Sequence, residues 1–262
     1  MISLIISYYK NIENLELILS ALNQQSCMGF EVIISEDDNH LETKSYLEKK
    51  IGFCNYPITH LTQDVDNGFR KNEMLNNSIQ ASNHESIVFI DGDCIPHKHF
   101  IKEYRKRLRH GYIFFGRRVM LSEKHSTKLL KNSKGHKLNF GTLFFNGSTK
   151  KKEALYFPYS SIMIKERGIV GCNWGIKKKH LLEINGFDED YIRAGYGEDS
   201  DIEWRLRRHG LKMKSMKNRS IVFHIYHPRT YSDHGLKSNY ELMLSKQAVN
   251  KIRCMNGVEK IA

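Results

Sequence analysis

Apolar runs alternate with amphipathic stretches along the first part of the chain. Leu4 to Tyr8, Phe30 to Ser35, Ile58 to Leu61, Ser86 to Ile90 and Tyr112 to Phe115 are short runs rich in β-branched and aromatic residues, as buried strands are. Between the first two, Asn11 stands where it caps a helix with Leu15, Ile18, Leu19 and Leu22 on one face. Helical patterns follow over 41–51, 69–81 and 97–109. Strands alternating with helices predict βαβ units and an α/β fold with a mostly parallel sheet flanked by helices. Ligands of such sheets bind beyond the carboxyl ends of the strands. Three polar clusters fall there: Tyr8-Tyr9-Lys10, Glu36-Asp37-Asp38 and Asp91-Gly92-Asp93.

The alternation breaks after Arg118. Residues 119–168 read as irregular, with a Lys/His-rich stretch at 124–137 and aromatic clusters at Phe140, Phe144-Phe145 and Tyr156-Phe157. Order resumes at Gly171-Cys172-Asn173-Trp174. A helix over 178–184 ends at the C-cap signal Asn185-Gly186. A short helix at 200–209, a strand from Ser220 to Phe223 ending at His224, and a C-terminal helix at 236–253 complete the pattern. The expected division is a first half, 1–118, and a second half, 119–262, carrying a basic insertion over about 120–168.

The chain has 262 residues, 40% hydrophobic and 27% charged, enough for a sizeable core. No apolar run reaches the roughly 18–20 residues of a spanning helix. Met1 to Ser7 lacks a basic leader and reads as a first strand. Five widely spaced cysteines without a C-x-x-C pair point to reduced thiols in a cytoplasmic setting. The net charge of +12 is uneven: residues 1–90 hold six Lys/Arg against twelve Asp/Glu, the remainder 35 against 17. A basic second half suits phosphorylated ligands, an anionic membrane surface or a nucleic acid.

Asp91 and Asp93 are two residues apart at the end of an apolar run, so in extended chain they project to one side, and Gly92 lets a ligand approach the backbone. Two hard oxygen donors suit Mg²⁺ or Mn²⁺ shared with phosphate oxygens. Glu198-Asp199 follows Gly195-Tyr196-Gly197 and opens a helix, where carboxylates also serve as ordinary caps. As a functional pair it offers a base for an acceptor hydroxyl. His224 and His227 are both candidates to complete the metal shell with Asp93.

In this order the clusters resemble the family 2 glycosyltransferases of the GT-A fold. The second half is similar to the domain shared by bacterial chondroitin polymerases and the β-1,4-galactosyltransferases. The resemblance runs from Leu4 to about Arg229. It implies that Tyr8, Glu36 and Asp37 contact the uracil or ribose of a UDP-sugar, and that Arg70 and Asn76 lie near the nucleotide. Asp91-Gly92-Asp93 corresponds to the D-x-D, with Asp93 the stronger ligand and His224 the late metal histidine. Asn173, Trp174, Tyr196 and Gly197 fall on the acceptor side, and Asp199 is the usual base, with Glu198 beside it as the alternative. Tyr196 stands where the family has Trp, and Ser35-Glu36-Asp37 replaces Val-Asp-Asp.

The implied activity is metal-dependent, inverting transfer from a UDP-sugar to a saccharide or lipid-diphosphate-saccharide acceptor in surface polysaccharide synthesis. The basic half adds the expectation of peripheral contact with an anionic inner membrane face. Two other classes make distinct demands. A nucleotidyltransferase needs a basic glycine-rich loop after the first strand, which Tyr8-Tyr9-Lys10-Asn11 is not. A nucleic-acid-binding module would explain the charge but leave Asp91 and Asp93 unused; no nucleic acid is expected.

Overall fold

The computed structural model describes residues 1–131, 138, 143, 147–159, 168–195, 197–228 and 233–261. The strands are β1 (Ile2–Tyr8), β2 (Phe30–Glu36), β3 (Ile58–Leu61), β4 (Ser86–Asp91), β5 (Cys94–Pro96), β6 (Tyr112–Phe115), β7 (Arg117–Met120), β8 (Trp174–Lys177), β9 (Lys212–Ser215) and β10 (Ile221–His224). The helices are α1 (Ile12–Asn23), α2 (Leu41–Lys50), α3 (Lys71–Ala81), α4 (Phe100–Arg107), α5 (Glu123–Lys131), α6 (Lys178–Glu183), α7 (Glu198–Arg208) and α8 (Asp233–Ala248). The α/β architecture is the one the sequence pattern predicts. Among the described residues no helix is long and apolar enough to cross a membrane.

One seven-stranded sheet has the order β3-β2-β1-β4-β8-β6-β9, and a smaller one the order β5-β10-β7. Strands β3, β2, β1 and β4 are mutually parallel, and β8 enters antiparallel between β4 and β6. The side-chain period of two divides the core between the faces of the large sheet. Leu4, Ile6 and Tyr8 pack with α1 on one face. Ile5, Ile33, Ile87 and Phe89 pack with Leu75 and Ile79 of α3 and with Trp174 on the other. Asn11 caps α1 through Oδ1, which accepts from the Asn14 amide at 2.9 Å.

Because β1 lies between β2 and β4, its carboxyl end opens a crevice at the point where strand order reverses. Register brings Tyr8 beside Glu36 and Ser7 beside Asp91. The chain then turns sharply: the Gly92 amide donates to the Ser7 carbonyl at 2.6 Å, and a Cβ at Gly92 would stand 3.0 Å from that oxygen. The D-x-D thus needs its glycine to fold over the end of β1.

The second half contributes more regular structure than its composition announces. Residues 123–131 form α5 inside the stretch expected to be irregular, and Arg117–Met120 and Lys212–Ser215 are strands. Polar Lys-Met-Lys-Ser hides β9, which pairs along the sheet edge through its backbone. Phe140, Phe144 and Phe145 lie outside the described residues.

Candidate active site

The acidic clusters from the two halves converge. A cleft is lined by residues that include Ser7, Lys71, Asp91, Trp174, Glu198 and Asp199. The link between them is Lys71, in the first turn of α3. Its ammonium donates to Glu198 Oε1 at 2.8 Å and to Asp91 Oδ1 at 3.2 Å. Burial works against a charge on Lys71, but the two carboxylates outweigh it and raise its pKa well above the ordinary value. Burial likewise raises the Glu198 carboxyl, with Lys71 opposing it. Sequence reasoning missed Lys71, since a lysine opening an amphipathic helix looks like a solvated residue. Its position next to Arg70, already assigned to the nucleotide side, was the available signal.

Asp199 is held differently. Its Oδ2 accepts from the Gly171 amide at 3.1 Å, and it makes no ion pair among the described residues. Gly197, ahead of α7, has φ of 118°, and a Cβ there would stand 2.7 Å from the Tyr191 ring. The glycine therefore permits the close turn that aims Glu198-Asp199 at the cleft. Tyr196 lies outside the described residues.

Asp93 faces away from Lys71, toward β10 and the turn after it. Its Oδ2 lies 3.2 Å from His224 Nε2 and 3.0 Å from His227 Nε2, and Cys94 Sγ donates to Oδ1 at 3.1 Å. Burial opposes ionisation of Asp93, but the bonds from the two imidazoles prevail and hold its carboxyl well below the usual range. The hydrogen bond to Asp93 pushes His227 up to about 9. Among the described residues, Asp93, His224 and His227 form a group whose ligand atoms all lie within 4.8 Å of one another. Two imidazole nitrogens this close to one carboxylate oxygen require a proton or a cation among them. Bonds of about 2.1 Å to an octahedral ion set neighbouring ligands about 3.0 Å apart, close to the spacing found here. His227 Nδ1 lies 2.8 Å from the Pro228 carbonyl, to which it can donate, so a cation at Nε2 would replace the proton shared with Asp93. Both histidines are therefore placed to bind, and Asp91, engaged by Lys71, is not part of the group.

On the nucleotide side, the Asp37 amide donates to the Tyr8 carbonyl, and Asp37 Oδ1 accepts from the Arg70 amide at 2.8 Å and from Gln63 Nε2 at 2.9 Å. Burial raises the Asp37 pKa to about 6. Glu36 is buried, its Oε2 accepting from His60 Nε2 at 2.6 Å, while Oε1 has no partner among the described residues. A buried acceptor left open beside the crevice is what an incoming N–H or hydroxyl would satisfy.

Three residues expected to contact ligands are buried. The Tyr8 ring is 1% exposed and belongs to the core; the neighbouring Tyr9 is the exposed ring, with Lys10 over it. Asn76 is 1% exposed: its amide donates to the Phe187 carbonyl and Glu189 and accepts from the Phe187 amide. Asn173 is fully buried, donating to the Arg117 and Ser220 carbonyls and accepting from the Tyr104 hydroxyl. Both amides stitch backbone segments together, and both Nδ2 hydrogens of each are engaged. Trp174 stacks on Phe89 with ring centroids 4.5 Å apart and forms the floor of the cleft.

The model of the glycosyltransferase-like family 2 matches residues 2–237. The uncharacterized glycosyltransferase YfnE of Bacillus subtilis (strain 168) is 24% identical over 97% of this chain and 72% of its own length. Among solved structures, S. aureus TarS 1–349 in complex with UDP is similar with TM-score 0.61 and 14% identity over 94% of this chain and 64% of that one. GalNAc-T7 with UDP, GalNAc and Mn²⁺ gives TM-score 0.65 and 12% identity over 94% and 47%. The mannosyltransferase PcManGT from Pyrobaculum calidifontis, in complex with GDP-Man and Mn²⁺, gives 0.61 and 14% over 96% and 64%. The chain thus spans less than two thirds of each of these solved chains. These likenesses establish the GT-A fold, and the family match establishes the enzyme class: the chain belongs to glycosyltransferase family 2 and is a transferase of that family.

Proposed function

We propose that the chain transfers a sugar from a UDP-sugar to a hydroxyl of a saccharide acceptor, with inversion at the anomeric carbon. The observation that carries this reading is the Lys71 bridge, which sets the D-x-D strand end and the Glu-Asp helix start on one cleft. Glu36 and Asp37 would hold the base or ribose at the end of β2, within a nucleotide-binding half over 1–118. Arg70 would lie beside them.

Asp93, His224 and His227 would hold a divalent cation together with the donor's diphosphate. One carboxylate with two imidazoles favours Mn²⁺ over Mg²⁺. The cation would supply Lewis-acid neutralisation of charge on the departing UDP. Asp199 would accept the proton of the attacking hydroxyl, and the Gly171 amide orients its carboxylate for that role. Glu198 is tied to Lys71 and would serve position rather than proton transfer. Gly171, Trp174 and the turn at Gly197 would line the acceptor side.

UDP release across a panel of UDP-sugars with Mn²⁺ tests the assignment. Turnover is expected with one donor, and loss of it in Asp93→Ala and in Asp199→Asn. Retained turnover in both variants would refute the site.

A further inference from the structure

We infer that the segment 155–159 is a docking ridge for an anionic lipid bilayer. Leu155, Phe157 and Tyr159 are 46%, 46% and 86% exposed, while Tyr156 and Pro158 turn inward. Alternate residues of an extended segment share a face, so three large apolar side chains stand in a row toward solvent. The Phe157 and Tyr159 rings meet edge to face at 5.6 Å.

The ridge is fixed in place. The Phe157 amide donates to the Asn218 carbonyl at 2.7 Å, and Asn218 Nδ2 donates to the Leu155 and Lys152 carbonyls. Arg107 and Arg219 both donate to the Pro158 carbonyl, at 2.8 and 3.3 Å. A soluble surface gains nothing from holding apolar rings outward by this many bonds, whereas an interface between water and lipid accepts rings of this kind.

The charge around the ridge selects an anionic surface. Residues 150–159 contain three lysines and one glutamate, and that glutamate, Glu153, faces Lys217 at 3.8 Å. Among the described residues Arg219 bonds carbonyls and no carboxylate, and it shares the Pro158 carbonyl with a second guanidinium. Basic side chains rimming exposed aromatic and aliphatic ones match lipid headgroups above acyl chains. The span from Asn218 to His224 is at most about 22 Å of extended chain, so the ridge would hold the catalytic cleft close to the bilayer. This deepens the proposed transfer by naming a lipid-borne acceptor. It rests on that reading for its purpose and not for its geometry.

The test is co-sedimentation of the full chain with vesicles of phosphatidylcholine, with and without phosphatidylglycerol, at low salt. The expected result is partition onto the anionic vesicles only. Phe157→Ser with Tyr159→Ser should lower it at least about tenfold, and Arg219→Gln about fivefold. Tyr159→Trp should give an emission component that shifts to the blue on anionic vesicles alone. UDP release with a water-soluble acceptor should be unchanged in the double variant, so failure of docking is separable from failure of the transferase reading. Absence of vesicle binding, or equal binding by the double variant, would overturn the inference. So would oligonucleotide binding that the double substitution abolishes without any vesicle binding, which would assign the ridge to nucleic acid.

Discussion

The two acidic clusters divide their labour in the same way. In each, one carboxylate pairs with Lys71 and its neighbour does not, which on the proposed reading leaves the neighbour for chemistry. Asp91 meets the ammonium while Asp93 turns to His224 and His227. Glu198 meets the same ammonium while Asp199 is oriented by the Gly171 amide. Neighbouring carboxylates thus differ in surroundings because one partly buried cation sits between the clusters. The lysine offsets part of the negative charge that a diphosphate would otherwise face, and it ties the wall built by the first half to the wall built by the second.

Substitution of a carboxylate that Lys71 does not hold should have the largest effect. Asp93→Ala is expected to lower turnover on the order of 10³-fold and to abolish Mn²⁺ binding followed by electron paramagnetic resonance. Unchanged Mn²⁺ binding would break the comparison by removing Asp93 from the cation site. Lys71→Met should come next. It strands two carboxylates in the cleft and should cost about 3 kcal/mol of stability in urea unfolding. Adding Glu198→Gln should restore part of that loss, because one stranded charge is removed. If the two effects simply add, the bridge is not a coupled unit.

Asp37 sharpens the contrast, as a carboxyl with no cation bonded to it. Its native pKa of about 6 exceeds the ordinary value of 3.8. The native state therefore binds the extra proton between those values, so this group's contribution favours folding at low pH and is lost as pH rises through about 6. Asp37→Asn keeps an oxygen for the Arg70 and Gln63 donors. It should raise stability on the order of 2 kcal/mol above pH 6 and leave it unchanged near pH 4, as thermal melts across pH would report. The smallest effect belongs to Gly197→Ala, where left-handed backbone and the Tyr191 ring both resist a Cβ. A loss of about 1–2 kcal/mol is expected, with a fall in turnover as the start of α7 shifts.

The β1–α1–β2 beginning was legible because periods of two and of about four are written plainly in Leu4 to Leu22. The acidic clusters were legible as candidates because paired carboxylates stood at the end of an apolar run and at a helix start, although turns and caps use such residues too. The backbone bonds of Asn76 and Asn173 were not legible, because an amide that binds a ligand and one that binds backbone are the same side chain, and packing alone decides. Lys71 was invisible for the opposite reason: only the fold brings Glu198 to it. Strand β5 has too few residues for a period to emerge, while β7 and β9, as long as the legible β3 and β6, carry Arg and Lys and pair through their backbone whatever their side chains.

UDP release by Glu198→Gln and Asp199→Asn, measured side by side at saturating donor and Mn²⁺, tests the division of labour most directly. The amide oxygen introduced by Glu198→Gln can still accept from Lys71, so that variant should keep turnover within about tenfold of the parent, whereas loss of the base should cost Asp199→Asn about 10²–10⁴-fold. The reverse order, with Glu198→Gln inactive and Asp199→Asn active, would contradict the account.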